Sequence, residues 1–183
     1  MRLLFLLGMF ALANPIFEHQ PEQAIRTSIC EIKSSPALFN GKLVEVSGYA
    51  THGVDDSRFE NPACFGGKQN PGMWMEYGGS VGSRTVEPKP LMVQGIGVLL
   101  IRDPLFATMD RLLHSVPGKD VSVKATVRAR FFATPEMAEG RRDPGKGYGK
   151  RNCCLLVAIE QVTALESKGI QPSIFELAKV HKP

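Results

Sequence analysis

No stretch of the chain stays apolar for the roughly 20 residues that a helix needs to cross a bilayer. The longest run, Leu3 to Ala13, covers about half that and is broken by Gly8. There is no P-loop, no dinucleotide fingerprint and no H-E-x-x-H, so no motif implies a cofactor. The four cysteines lack the close C-x₂₋₄-C spacing of structural zinc sites. Aromatic residues make up 8% of the chain and include one Trp, and the net charge is only +4 over 183 residues. That charge is too small for a nucleic-acid packer. What is present is ordinary globular usage, 43% hydrophobic and 22% charged, which excludes a disordered chain, a coiled coil or a polytopic membrane protein. Eighteen Gly and thirteen Pro exceed the average share and predict prominent loops in a soluble β-rich domain.

The N-terminus reads as an export signal. Met1-Arg2 is a minimal positive start, and Ala11-Leu12-Ala13 sets small residues at −3 and −1 of a cleavage site before Asn14. The expected organisation is a signal peptide at 1–13, a mobile segment at 14–21, one domain at 22–165 and a tail at 166–183. The competing reading of the run is a buried helix or strand. Export predicts a periplasmic or secreted protein with no transmembrane span in its mature form.

An even number of cysteines in an exported chain predicts disulfides. Cys153 and Cys154 are adjacent, and neighbours in a strand point to opposite faces. The pairings expected are therefore those joining Cys30 and Cys64 to Cys153 and Cys154, with a Cys₄ zinc site as the rival. Loops of roughly 90–125 residues would close, worth about 4–5 kcal/mol in a chain-entropy treatment.

Periodicity predicts the elements. Ile25, Ile29 and Ile32 form the stripe of a short helix over Glu22–Lys33. Lys42–Thr51 is a strand with Val44, Val46 and Ala50 inward and Gly48 marking a bend. Arg58–Cys64 is its return strand, and Met73–Tyr77 is a third. Leu91–Ile101 reads as extended. Asp103 caps a helix with Pro104 in its first turn and Leu105, Met109 and Leu112 as its stripe, widened by Phe106 and Leu113. Lys119–Phe132 alternates without a fault. Cys153–Val162, apolar on both faces, is a central strand, and Ser173–Val180 is a terminal helix with a capping box.

Three strands, a helix and two strands is the order of an OB-like five-stranded Greek-key barrel, with a small β-sandwich as the alternative. Strands one and four, neighbours in such a barrel, share G-K-x-V-x-V in Gly41–Val46 and Gly118–Val123. Six stretches also form a pattern: Cys30-Glu31-Ile32, Phe39–Lys42, Val46–Tyr49, Trp74–Gly79, Arg130–Ala133, and Gly147-Tyr148-Gly149 before Cys153-Cys154-Leu155-Leu156-Val157. Together they resemble a group of small bacterial exported proteins of uncharacterised function. The resemblance runs from about Cys30 to Val162 and implies export and a shared fold. The group's His after Gly-Tyr-Gly is Lys150 here, so no role of that His is carried over.

Two constellations could carry chemistry. His52, Asp55, Asp56 and Glu60 could hold a divalent cation or serve a metal-dependent hydrolase, against the plainer reading of a capped hairpin turn. Ser57 with His52 and Asp55 has the composition of a triad but no geometry yet. The second is basic. Residues 119–151 hold nine Lys and Arg against four acidic residues. Arg128, Arg130, Arg141, Arg142, Lys150 and Arg151 form an expected anion-binding surface, with Tyr148 and Trp74 as stacking platforms, against the alternatives of solvated surface charge and a core Trp. The expected ligand is an anionic envelope polymer or lipid headgroup, with nucleic acid the weaker choice. The expected class is a binding module with no enzymatic role.

Overall fold

The computed structural model describes residues 22–52, 57–64, 72–79, 89–115, 121–135, 147–149, 155–166 and 171–172. In chain order these form β1 (Ile25–Arg26), α1 (Ile29–Ser34), α2 (Pro36–Phe39), β2 (Leu43–His52), β3 (Ser57–Glu60) and β4 (Met73–Tyr77). They continue as β5 (Leu91–Val93), β6 (Ile96–Val98), α3 (Pro104–Leu113), β7 (Val121–Phe132), β8 (Leu156–Leu165) and β9 (Gln171–Pro172). Strand neighbours run β1-β2-β3-β4-β8-β7-β9, and pairing of β2 with β7 closes β2, β3, β4, β8 and β7 into a barrel. The β4–β8 seam is parallel, while β2–β3, β3–β4, β7–β8 and β2–β7 are antiparallel. Numbered within the barrel, the order is 1-2-3-5-4, with a helix between strands three and four. The fold is an OB-like barrel.

Alternation builds the core. Val44, Val46 and Ala50 of β2, Phe59 of β3, Met73 and Met75 of β4, Val127 and Phe131 of β7, and Val157 and Ile159 of β8 are buried inside. Ile29 and Ile32 of α1 and Phe106, Met109 and Leu113 of α3 pack against them. Burying each such side chain contributes about 1.5–3 kcal/mol. The stripe of α3 is rotated one residue from the expected one. Leu105 is 38% exposed and Leu112 half-buried. Met109 belongs to either arc, so periodicity alone could not choose. Asp103 caps the helix as expected, its Oδ1 accepting from the Phe106 amide at 2.9 Å.

β8 is central, between β4 and β7, which explains its two apolar faces. Val157 and Ile159 point inward, whereas Leu156 and Ala158 join Phe132, Val93 and Val98 in a second cluster. The stretch expected to be one extended segment, Leu91–Ile101, is instead the β5–β6 hairpin, a separate two-stranded sheet supplying part of that cluster.

Two further expectations are corrected. Glu22–Lys33 is not one helix. Ile25 lies in β1, parallel to Val44, and α1 begins only after Ser28, whose hydroxyl accepts from the Glu31 amide at 3.1 Å. The Ser28 cap and the vacant edge of β2 outweigh the three-residue Ile stripe. The cysteine pairing also differs. Cys30 is bonded to Cys64, with their Cα atoms 5.2 Å apart, rather than to the adjacent pair. Beyond β3 an Asx turn, with Asn61 Oδ1 accepting from the Ala63 amide at 3.0 Å, leads the chain to Cys64 beside α1. Elimination among the four cysteines assumed that all must pair with one another, and spatial proximity overrides it. Cys153, Cys154, residues 1–21 and the expected helix at Ser173–Val180 lie outside the described residues.

Candidate functional site

The outward face of β7 follows from its alternation. With Val127, Ala129 and Phe131 inward, Lys124, Arg128 and Arg130 must project outward. The register with β2 sets Glu45 opposite Arg128, Ser47 opposite Thr126 and Tyr49 opposite Lys124. Ser47 Oγ and Thr126 Oγ1 are 2.7 Å apart, and Thr51 and Ser122 repeat that hydroxyl pair in a buried setting, also at 2.7 Å.

Each cation on this face meets an oxygen of the chain. Lys124 Nζ lies 2.9 Å from Glu166, whose carboxylate raises the Lys124 pKa. Arg128 Nη2 donates to the Glu22 carbonyl at 3.3 Å. Arg130 is the hub. Its Nη2 and Nη1 donate to the two Glu22 carboxylate oxygens at 2.7 and 3.2 Å. Its Nη1 also reaches the Gly41 carbonyl at 3.0 Å, and its Nε reaches Glu160 Oε1 at 3.2 Å. The guanidinium beside Glu22 holds that carboxyl below its ordinary value, with the Leu43 amide and the charge of Lys42 acting in the same direction.

Glu160 meets Arg130 from beside a β-bulge. Ala129 faces Ile159 and Arg128 faces Gln161, so Glu160 is the extra residue of β8. A sequence pattern of period two does not record such an insertion, and neither Glu22 nor Glu160 was legible as a partner of Arg130.

Trp74 and Tyr148 both pack against the second cluster. Trp74 Nε1 donates to Glu76 Oε1 at 2.6 Å. Gly149, at φ +83°, lies so close to the indole that a Cβ there would overlap Trp74 Cδ2 and Cε3. Tyr148 Oη accepts from Gln94 Nε2 at 2.8 Å. Gln94 sits in the hairpin turn at φ 49°, and the same nitrogen donates to the Ala133 carbonyl at 2.7 Å. Asn40 completes the network, donating to Gln94 Oε1 at 3.1 Å and accepting from the Ala133 amide at 2.8 Å. Both aromatic residues are thus packed and hydrogen-bonded within the protein. Arg141, Arg142, Lys150 and Arg151 lie outside the described residues.

Of the acidic constellation, His52 and Glu60 lie among the described residues. Glu60 faces Tyr49 and Ser57 faces His52, so Glu60 and His52 stand three ladder positions apart on opposite faces of the sheet. That separation is about 10 Å along the strand. Asp55 and Asp56 lie outside the described residues, among which no three His, Cys, Asp or Glu side chains could hold a metal ion. The His52 ring packs instead against His114, with centroids 4.7 Å apart. Ser57 Oγ donates to the Met75 carbonyl at 2.9 Å, which occupies the proton a triad would pass to His52. Near that end of the barrel Tyr77 packs edge-on against Phe106 at 5.2 Å, and burial pushes its hydroxyl pKa up, leaving it protonated. Among the described residues, no helix is long and apolar enough to cross a membrane. Comparison with protein-family models, with curated proteins and with solved structures finds no match, so the fold rests on topology and the site on its own geometry.

Proposed function

We propose that this protein is an exported, non-catalytic binding module that takes an anionic envelope ligand, a polymer or a lipid headgroup, at the connection between β7 and β8. The observation that carries the reading is where this connection returns. Its Gly149 lies against Trp74 of β4, with Tyr148 packed on the same cluster as Trp74, and in OB folds the loop between strands four and five flanks the binding face on strands two and three. The connection carries Arg141, Arg142, Lys146, Lys150 and Arg151. The cations of β7 already face carboxylates and carbonyls, so the loop cations supply most of the attraction. Guanidinium forks suit carboxylate and phosphate because two donors meet two oxygens at once. The apolar N-terminal run and the Cys30–Cys64 bond support export, and the resemblance to small exported bacterial proteins belongs to the same reading.

The test replaces Arg141, Arg142, Lys150 and Arg151 with Ala together and measures retention on phosphatidylglycerol vesicles and on immobilised polyphosphate. Exposed pairs contribute about 0–1 kcal/mol each, so the parent should bind through many contacts, lose affinity as salt rises and outbind the variant at least tenfold. Equal retention of the folded variant and the parent would sink the proposal.

A further inference from the structure

The surroundings of the Glu22 carboxylate form a receptor for an oxyanion. The Arg130 fork grips both oxygens, and Lys42 and the Leu43 amide favour the charged form of the same group. Receptor and occupant differ in how firmly they are held. The Arg130 side chain is 14% exposed, whereas that of Glu22 is 52% exposed. Glu160 at the bulge and the Gly41 carbonyl would still hold Arg130 if Glu22 left. Glu22 rides on a strand whose ladder with β2 is two residues long, Ile25 and Arg26, followed by one bond from the Thr27 amide to the Glu45 carbonyl at 3.2 Å. Ile25 is 43% exposed, so little apolar burial secures the strand. Segments with so few buried contacts open first.

We propose that Arg130 and Arg128 form an oxyanion-binding site that the chain keeps closed with its own Glu22. A carboxylate or phosphate group enters by displacing the Glu22–Thr27 strand. The inference rests on the anionic-ligand reading and adds a second contact point to it. An anion that enters competes with Glu22 for Arg130, and displacement also uncovers Arg128 Nη2, which now bonds the Glu22 carbonyl. Planar two-oxygen groups are favoured, because the fork already holds one.

The full chain is tested as the parent, Glu22→Gln, Asp110→Asn as a control of equal charge on α3, and Glu22→Gln with Arg130→Gln. Binding to phosphatidylglycerol vesicles and to free polyphosphate is measured at low salt, which separates a lipid headgroup from a free polymer. Glu22→Gln should bind about two- to fivefold tighter than Asp110→Asn, the range expected for releasing one exposed ion pair. Arg130→Gln should erase the gain. Added polyphosphate should also speed hydrogen exchange at the Thr27 amide of the parent. This last measurement decides the matter if the Arg130 variant does not fold. Equal binding by Glu22→Gln and Asp110→Asn, with Thr27 exchange unchanged, would overturn the closed site and leave the binding function standing. Absence of binding by every variant would overturn both.

Discussion

Gly149 is the residue on which the second cluster turns. Its φ of +83° is one that L side chains rarely adopt, and the Trp74 ring occupies the place of a Cβ. Gly149→Ala should destabilise the protein by about 1–3 kcal/mol. The check is a lower urea midpoint together with a shifted emission of the single Trp. An unchanged midpoint would mean that the indole has room to retreat. Gln94 is a different case, a non-glycine residue at φ 49° whose amide joins Asn40, Ala133 and Tyr148. Gln94→Ala keeps the strained backbone and loses those bonds, so it should cost about 1–3 kcal/mol. Gln94→Gly relieves the backbone and should recover about 1 kcal/mol of that loss. If the two variants melt together, turn strain is not part of the balance. Gly149 can be picked out in the sequence as a turn position, whereas Gln94 lies in the Leu91–Ile101 stretch that reads as extended. That their neighbours are Trp74 and Tyr148 cannot be read there, because the contacts span 39 to 75 positions along the chain.

At the scale of elements, the Cys30–Cys64 bond ties α1 to the end of β3 across a separation of 34 residues. The loop entropy it removes from the unfolded chain is worth about 3–4 kcal/mol. Cys30→Ala with Cys64→Ala should lower stability by up to that amount, read as a denaturant midpoint. In the parent, alkylation before reduction should label neither cysteine. Labelling of both in exported material would break the link between the bond and an oxidising compartment. The β1 strand carries a pH prediction. Arg130 holds the Glu22 carboxyl below its ordinary 4.5, so the charged form is favoured in the folded state. The stability it contributes is present above 4.5 and is lost as pH falls through the depressed value. Amide signals of Ile25–Thr27 should therefore move toward unpaired positions as pH falls below 4.5, while those of the β2–β7 ladder stay. A Thr27 signal that does not move would show that the backbone pairing alone holds the strand. The alternation of Val121–Phe132 and the cap at Asp103 were legible because each is written in adjacent residues. The extent of the first helix was not, since its Ile25 is claimed by the edge of β2, a tertiary partner.

For the whole molecule, the closed barrel decides what its charges can do. The excess of basic residues over 119–151 suggests an open cationic surface, yet within the barrel Lys124 faces Glu166 and Arg130 is gripped by Glu22 and Glu160. Charge counted along a segment ignores acids brought from elsewhere: Glu22 stands 108 positions from Arg130. The cations of β7 are thus engaged within the protein, and the anion binding proposed for the connection should weaken steeply with salt because exposed charges are screened over about 10 Å.

The OB-like barrel was legible in the chain's own pattern, with a small β-sandwich as its rival, and the β2–β7 pairing decides for the barrel. Period-two alternation states which residues of β2 and β7 face inward, and the order of strands around α3 admits the OB-like closure, because these signals are local and repeat over many residues. Tertiary structure alone decided which cysteines meet, where Glu160 points and what occupies Arg130. Those outcomes depend on a bulge, an Asx turn and a two-residue edge pairing. Each moves a side chain by several ångströms while leaving the hydrophobic pattern of the chain unchanged.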